Sequence, residues 1–162
     1  MTALAMAGRL NLHATAIVAG DAGILILGPS GAGKSSLAFS AIELFRLRGR
    51  FAALVADDRV WLSAAGGRLV AETPEAIAGL IELRGCGPVR LAHEPRALVD
   101  GAVRLVVRED APRMADADAV ETVLGVSLPR LDLSGDDPAR GARVLAAWLD
   151  GLGAPDRGRL CP

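Results

Sequence analysis

One uninterrupted run, Gly28-Pro29-Ser30-Gly31-Ala32-Gly33-Lys34-Ser35, fills the pattern G-x-x-x-x-G-K-[ST] in full. In such a loop the glycines let successive backbone N–H groups turn inward around phosphate oxygens, and the helix that follows adds its positive end. The lysine reaches the β- and γ-phosphates of ATP, and the Ser35 hydroxyl can ligate Mg²⁺. Composition singles out the same lysine. Of the 18 basic residues, 17 are Arg and Lys34 is the only Lys. Arg substitutes for Lys at most surface positions, so a position that keeps Lys calls for a compact ammonium.

Two carboxylates come next. Asp57 and Asp58 follow an apolar run, Phe51 to Ala56, which places them where a Walker-B carboxylate lies beside a phosphate loop. Adjacent carboxylates repel, and side chains alternate along a strand, so distinct roles are expected: one near the metal, one handling a proton. With Asp21-Ala22 read as a two-residue turn, strand register puts His13 opposite Ser30, inside the phosphate loop. Glu82, in Ile-Glu-Leu-Arg-Gly-Cys-Gly-Pro (81–88), reads by chemistry alone as a solvated or Arg-paired carboxylate at the end of an apolar helix. His93 reads as structural or surface.

The elements that must position these groups alternate between strand and helix. Leu12 to Val18 and Ile24 to Leu27 form a hairpin, and a helix runs from about Gly33 to Leu47 with Leu37, Ala38, Ala41, Ile42 and Phe45 on one face. Gly49 is its expected C-cap. Arg59 to Leu62 and Arg68 to Ala71 bracket a second hairpin. Thr73-Pro74-Glu75 carries the chemistry of a helix start, predicting a short helix through Leu83. Strands are expected over Val103 to Val107 and Val120 to Leu128, with Arg113 in the polar loop between them. Asp137-Pro138 caps a final helix carrying Val144, Leu145, Trp148 and Leu149. With no internal repeat or low-complexity linker, the 162 residues read as a single α/β domain with a loose tail from about 151 to 162.

Composition narrows the function. Acidic and basic residues balance, 19 against 18, so net charge points to neither nucleic acid nor a polybasic membrane contact. Half the chain (51%) is hydrophobic but only 3% aromatic, so the core is built from Ala, Val, Leu and Ile. The most apolar stretch, Ala14 to Gly28, is interrupted by Asp21 and falls short of the roughly 20 residues that span a bilayer. No basic residue precedes Arg9, so no signal-peptide n-region is visible. Cys86 and Cys161 are too few and too scattered for a disulfide framework or a zinc site, which fits a reducing cytoplasm. The chain has no Gln, and Asn11 is its only Asn, so the guanine-reading and water-orienting elements of small GTPases and the signature of transporter ATPases are absent. An ATP site with a carboxylate placed to take a proton from a hydroxyl is kinase chemistry.

Four segments in order, Leu-His-Ala-Thr-Ala (12–16), the phosphate loop, Leu-Val-Ala-Asp-Asp-Arg-Val (54–60) and Ile-Glu-Leu-Arg-Gly-Cys-Gly (81–87), resemble the catalytic domain of HPr kinase/phosphorylase. That family phosphorylates a serine of the phosphocarrier protein HPr, and the spacing from His13 to Lys34 agrees with it. The start just ahead of the catalytic domain resembles the short form without an N-terminal domain, and Ser36 stands where an acidic residue is usual. The resemblance implies a P-loop kinase domain with a mixed sheet and flanking helices, ATP as donor and Mg²⁺ held by Ser35 and Glu82. It makes one of Asp57 or Asp58 the proton acceptor, with His13 in support, and puts Arg84 and Gly85 in a loop used in both the kinase and phosphorylase directions. Arg113 is the candidate for a further catalytic arginine. The resemblance also implies HPr as partner and a homo-oligomer, a hexamer. A kinase of a small hydroxylated metabolite and a non-catalytic nucleotide-sensing module stay open as alternatives.

Overall fold

Alternation along one short strand sets the layering. In β3 (Ala22–Leu27), Ile24 and Ile26 point to one face, Leu25 and Leu27 to the other, and both rows are buried. A strand buried on both faces needs a layer on each side. The computed structural model describes residues 8–152 and supplies both layers. The expected tail beyond residue 152, with Cys161, lies outside the described residues.

The middle layer is a six-stranded mixed sheet. Its order is β11 (Val120–Val123), β12 (Val126–Ser134), β10 (Gly101–Val106), β3, β2 (Thr15–Ala19) and β4 (Ala52–Ala56). β10 lies parallel to both β3 and β12, and the remaining pairs are antiparallel. On the Ile24 face lie α1 (Lys34–Leu47) and α2 (Pro138–Leu152). Leu37, Ala38, Ala41, Ile42 and Phe45 of α1 are buried there, the face expected from the sequence. Small residues bring the two helices together: a Cβ on Gly141 would come within 3.0 Å of Leu37 Cδ1. The opposite face is covered by an antiparallel sheet of β1 (Leu10–Leu12), β5 (Val60–Ala65), β6 (Arg68–Glu72) and β9 (Arg96–Val99). Leu25, Val55, Leu62, Leu69 and Val99 are buried between the sheets. The fold is the expected α/β mixed sheet with flanking helices.

Several local expectations are corrected. The β2–β3 turn is Gly20-Asp21, not Asp21-Ala22, since Ala19 pairs with Ala22 and the ladder ends at Thr15 opposite Ile26. His13 therefore has no ladder partner in the phosphate loop. It sits at the break where the Leu12–Val18 run divides into β1 and β2, one strand in each sheet. The helix expected through Leu83 does not form. A single 3₁₀ turn, Glu75–Ile77, leads instead to β7 (Leu80–Leu83), which pairs antiparallel with β8 (Gly87–Arg90). Gly79 explains the switch: its φ of 75° ends any helix, and a Cβ there would press to 2.8 Å on His93 Nδ1. The expected strand over Val120–Leu128 is a hairpin, β11–β12, turning at Leu124-Gly125. Asp137 does cap α2, its Oδ1 accepting the Arg140 N–H at 2.9 Å.

Among the described residues no helix is long and apolar enough to cross a membrane.

Candidate functional site

The carboxyl ends of the three parallel strands open into one cleft of about 1060 Å³. This is where a parallel α/β sheet presents its loops to a ligand. The phosphate loop follows β3 directly. Gly33, at φ 100°, ends the loop and starts α1, and a Cβ there would meet the Gly135 carbonyl oxygen at 2.9 Å. Only glycine suits both constraints. From behind, Gly135 packs so closely that a Cβ of its own would collide with the Ala32 carbonyl oxygen.

Lys34 is buried, and its ammonium donates to the carbonyl oxygens of Gly28 (2.9 Å) and Pro29 (3.0 Å). Burial lowers its pKa below 10.5, against the opposing pull of the Asp58 and Asp57 carboxylates. The lysine is thus buried against the loop it closes.

The two aspartates diverge. Asp57, 4% exposed, lies at the bottom of the cleft. Its Oδ1 accepts the Thr15 hydroxyl at 2.8 Å, the Ser35 hydroxyl reaches both oxygens at 2.8 and 2.9 Å, and the Glu82 backbone N–H donates to Oδ2 at 3.1 Å. That carboxylate ties β2, α1, β4 and β7 together. Asp58, one residue on, turns out of the strand with φ 67°, a left-handed conformation that Asp tolerates better than most residues. Its side chain stands in solvent, and Oδ1 meets His13 Nε2 at 2.5 Å. The two carboxylates thus occupy different surroundings.

His13, Lys34, Ser35, Asp57, Asp58, Glu82 and Arg84 all line this cleft with the loop Pro29–Gly33. Glu82 is exposed on strand β7 and not on a helix, and Arg84 and Gly85 occupy the exposed turn that joins β7 to β8. Arg113 is not brought in. It is exposed in the loop after the 3₁₀ turn Arg108–Asp110, while Arg108 of that turn lines the cleft in its place. The sequence reading missed Thr15, Arg108 and the Ser134–Asp136 segment. Only the Ser-Gly-Asp composition just ahead of α2 hinted at the last. His93 is exposed and bridges to Leu54, as a surface histidine.

Among the described residues no cluster of three or more His, Cys, Asp or Glu side chains forms a metal cage. The donor set does suit Mg²⁺, which keeps several waters and relies on one or two protein groups plus substrate phosphates. Ser35 Oγ donates its hydrogen to Asp57 and keeps lone pairs for a cation. Glu82 lines the same space with an exposed carboxylate.

Comparison with known proteins gives consistent results. Residues 4–94 match the HPr Serine kinase C-terminal domain. The chain is 30% identical over 156 residues to the HPr kinase/phosphorylase of Limosilactobacillus reuteri, an alignment covering 90% of this chain and 46% of that protein. It is 32% identical over 156 residues to the HPr kinase/phosphorylase of Caldicellulosiruptor bescii, covering 90% of this chain and 47% of the other. The chain thus spans about half the length of the curated relatives it matches. The solved structure of the Hpr(Ser) kinase/phosphatase from Coxiella burnetii shares the fold, with a TM-score of 0.71 at 24% identity over 89% of this chain and 99% of that one.

Proposed function

The chain belongs to the HPr serine kinase C-terminal domain family, and from that premise we propose that it transfers the terminal phosphoryl group of Mg²⁺-bound ATP to a serine hydroxyl of an HPr-like phosphocarrier protein. One observation carries the assignment of roles. Asp57 has its oxygens occupied by Thr15, Ser35 and the Glu82 N–H, whereas Asp58 keeps one oxygen on His13 and the other toward open solvent. Asp58 is the proton acceptor and Asp57 the organiser of the phosphate and metal site.

In the forward direction the loop N–H groups and Lys34 hold the β- and γ-phosphates, and Lys34 leaves its two carbonyl partners to do so. Ser35 and Glu82 would hold Mg²⁺, which neutralises charge on the phosphate oxygens when bound. The serine oxygen forms the new P–O bond as the bond to the β–γ bridging oxygen breaks, releasing ADP, and the serine proton passes to Asp58. His13 keeps the Asp58 carboxylate aimed along the cleft. Arg84, on the exposed β7–β8 turn beside Gly85, lines the same cleft and would serve both directions of transfer. In reverse, Asp58 returns that proton to the serine oxygen as inorganic phosphate takes the phosphoryl group, giving pyrophosphate. The described segment acts as one catalytic unit of a cytoplasmic homo-oligomer.

The test is incubation with labelled ATP, Mg²⁺ and purified HPr-like proteins, followed by phosphosite mapping. Label on a single serine, lost in Asp58→Asn, is the expected result. Phosphorylation of a small hydroxylated metabolite with none of the protein would transfer the same site to a different acceptor.

A further inference from the structure

Among the described residues the buried polar side chains are Lys34, Asp57 and Thr15, and all of them line the cleft. A buried hydroxyl costs stability unless a hydrogen bond compensates it. Lys34 and Asp57 have places in the reaction. Thr15, the most deeply buried of the group, spends its hydroxyl on Asp57 Oδ1.

An irregularity in the sheet brings the two together. Side chains alternate along β2, so Thr15 shares the face of Ile17 and Ala19, which pack under the helices. In β4 the alternation breaks. Ala16 pairs with Ala56 and Ile17 with Leu54, which leaves Val55 as an extra residue. Leu54, before this bulge, lies on the helix side, and Val55 and Ala56 are both buried on the other side, between the sheets. Asp57 therefore comes back to the helix side, within reach of Thr15 and of Ser35 on α1. An unbroken strand would have sent its carboxylate between the sheets with Val55.

We propose that Thr15 is a positioning residue for Mg²⁺, acting through Asp57. The inference rests on the kinase reading above, in which Ser35 and Glu82 hold the cation, and adds the residue that fixes how they are presented. Each oxygen of Asp57 has its own anchor. The Thr15 hydroxyl donates to Oδ1 at 2.8 Å and the Glu82 backbone N–H donates to Oδ2 at 3.1 Å. The Ser35 hydroxyl lies between them, 2.8 and 2.9 Å from the two oxygens, so its single hydrogen points to the carboxylate and its lone pairs stay available to a cation. The last torsion of an Asp side chain is soft. Anchored at Oδ2 alone, the carboxylate can twist and take the Ser35 hydroxyl with it; anchored at both oxygens, it cannot. Hydrogen bonds one step behind a metal ligand orient that ligand in this way.

Thr15→Val keeps the side-chain shape and leaves Asp57 its donors from Ser35 and Glu82, and Thr15→Ser keeps the hydroxyl. Calorimetric titration of the whole chain with ATP, once in excess Mg²⁺ and once in a chelator, measures the affinity that Mg²⁺ adds. In Thr15→Val that gain should shrink by about 10-fold, with ATP affinity in chelator within about 2-fold of wild type, and Thr15→Ser should recover most of the gain. The Mg²⁺ concentration for half-maximal transfer should rise in Thr15→Val, while kcat at saturating Mg²⁺ stays near that of wild type. Thr15→Ala is titrated in the same way if Thr15→Val does not fold. An undiminished Mg²⁺ gain overturns the role of Thr15. So do equal losses with and without Mg²⁺, or a Thr15→Ser variant as impaired as Thr15→Val, since both mark a packing fault in place of a lost hydroxyl. Wild type that gains nothing from Mg²⁺ overturns the metal assignment beneath the inference, and wild type that does not bind ATP overturns the phosphate-loop reading itself.

Discussion

At the floor of the cleft, Asp57 is buried and surrounded by donors from three other elements; on the rim, one residue later, Asp58 is exposed, with His13 against it. Lys34 belongs with the floor, buried against backbone carbonyls, and Glu82 and Arg84 belong with the rim. The floor is complete before any ligand arrives, because its polar groups satisfy one another and a buried unpaired group would be costly. The rim groups are exposed, and among the described residues Asp58 meets His13 alone. A change in the floor should therefore cost binding, and at Asp57 stability too, whereas a change at Asp58 or His13 on the rim should cost rate alone.

The largest expected effect is on the rim. Asp58→Asn should slow phosphoryl transfer by roughly 10²–10⁴-fold with the melting temperature and Mg²⁺-ATP affinity unchanged. Single-turnover kinetics beside calorimetry checks this, and a wild-type transfer rate would remove Asp58 as the base. On the floor, Lys34→Ala should cost roughly 10²–10³-fold in transfer through lost charge stabilisation, and should weaken Mg²⁺-ATP binding with it. Lys34→Arg should not restore it, since a guanidinium does not fit the buried space between the Gly28 and Pro29 carbonyls.

Asp57 separates from the rim more by stability than by rate. In Asp57→Asn the charged acceptor becomes neutral; with the amide oxygen kept on the Glu82 N–H, the N–H₂ turns to Thr15 and Ser35, whose hydroxyls must rotate to accept and give up the charge-assisted bonds they now donate. The cost should be roughly 1–3 kcal/mol, read as a lowered melting temperature of several degrees, with weaker nucleotide binding and an altered Mg²⁺ dependence. Equal melting of the two Asn variants would erase the floor–rim distinction. His13→Ala should have a smaller effect, about 10-fold in transfer rate with no change in melting, because His13 only orients the base.

Lys34 gives the smallest and most diagnostic signal. Its lowered pKa means that kcat/KM should fall on the alkaline side before the 10.5 of an ordinary lysine is reached. Folding stability should move the other way over the same window. The unfolded chain still holds the proton there and the folded chain has released it, so stability rises with pH between the folded value and the unfolded value. Opposite slopes in the two measurements assign the titration to Lys34.

What the sequence disclosed followed local rules. The phosphate loop, the buried face of α1 and the Asp pair after β4 are written in contiguous residues whose period or spacing has one reading. The β7–β8 hairpin was misread because Ile77, Leu80, Ile81 and Leu83 satisfy a helical spacing, and a Thr-Pro-Glu start appeared to open it. Only the packing of Gly79 against His93, a contact across the fold, decides otherwise. β9 escaped notice because Arg96–Val99 is only four residues long and half exposed, gaining its strand from pairing with β6. Arg113 was chosen by position between strands, but the chain brings Arg108 to the cleft mouth first. Thr15, an ordinary strand residue in sequence, becomes part of the floor only once β2 lies beside β4.

The parallel placement of β10 between β3 and β12 has a consequence for synthesis on the ribosome. The signature motifs all lie within the first 90 or so residues, yet β3, from which the phosphate loop springs, lacks a partner on one edge until residues 101–106 have emerged. The β2–β3 hairpin can form early from local pairing. The brace behind the loop, Gly135, arrives later still. A nascent chain carrying every recognisable motif would thus expose an apolar strand edge and hold a phosphate loop with nothing behind it, an aggregation-prone interval that ends only when the last strand and helix join.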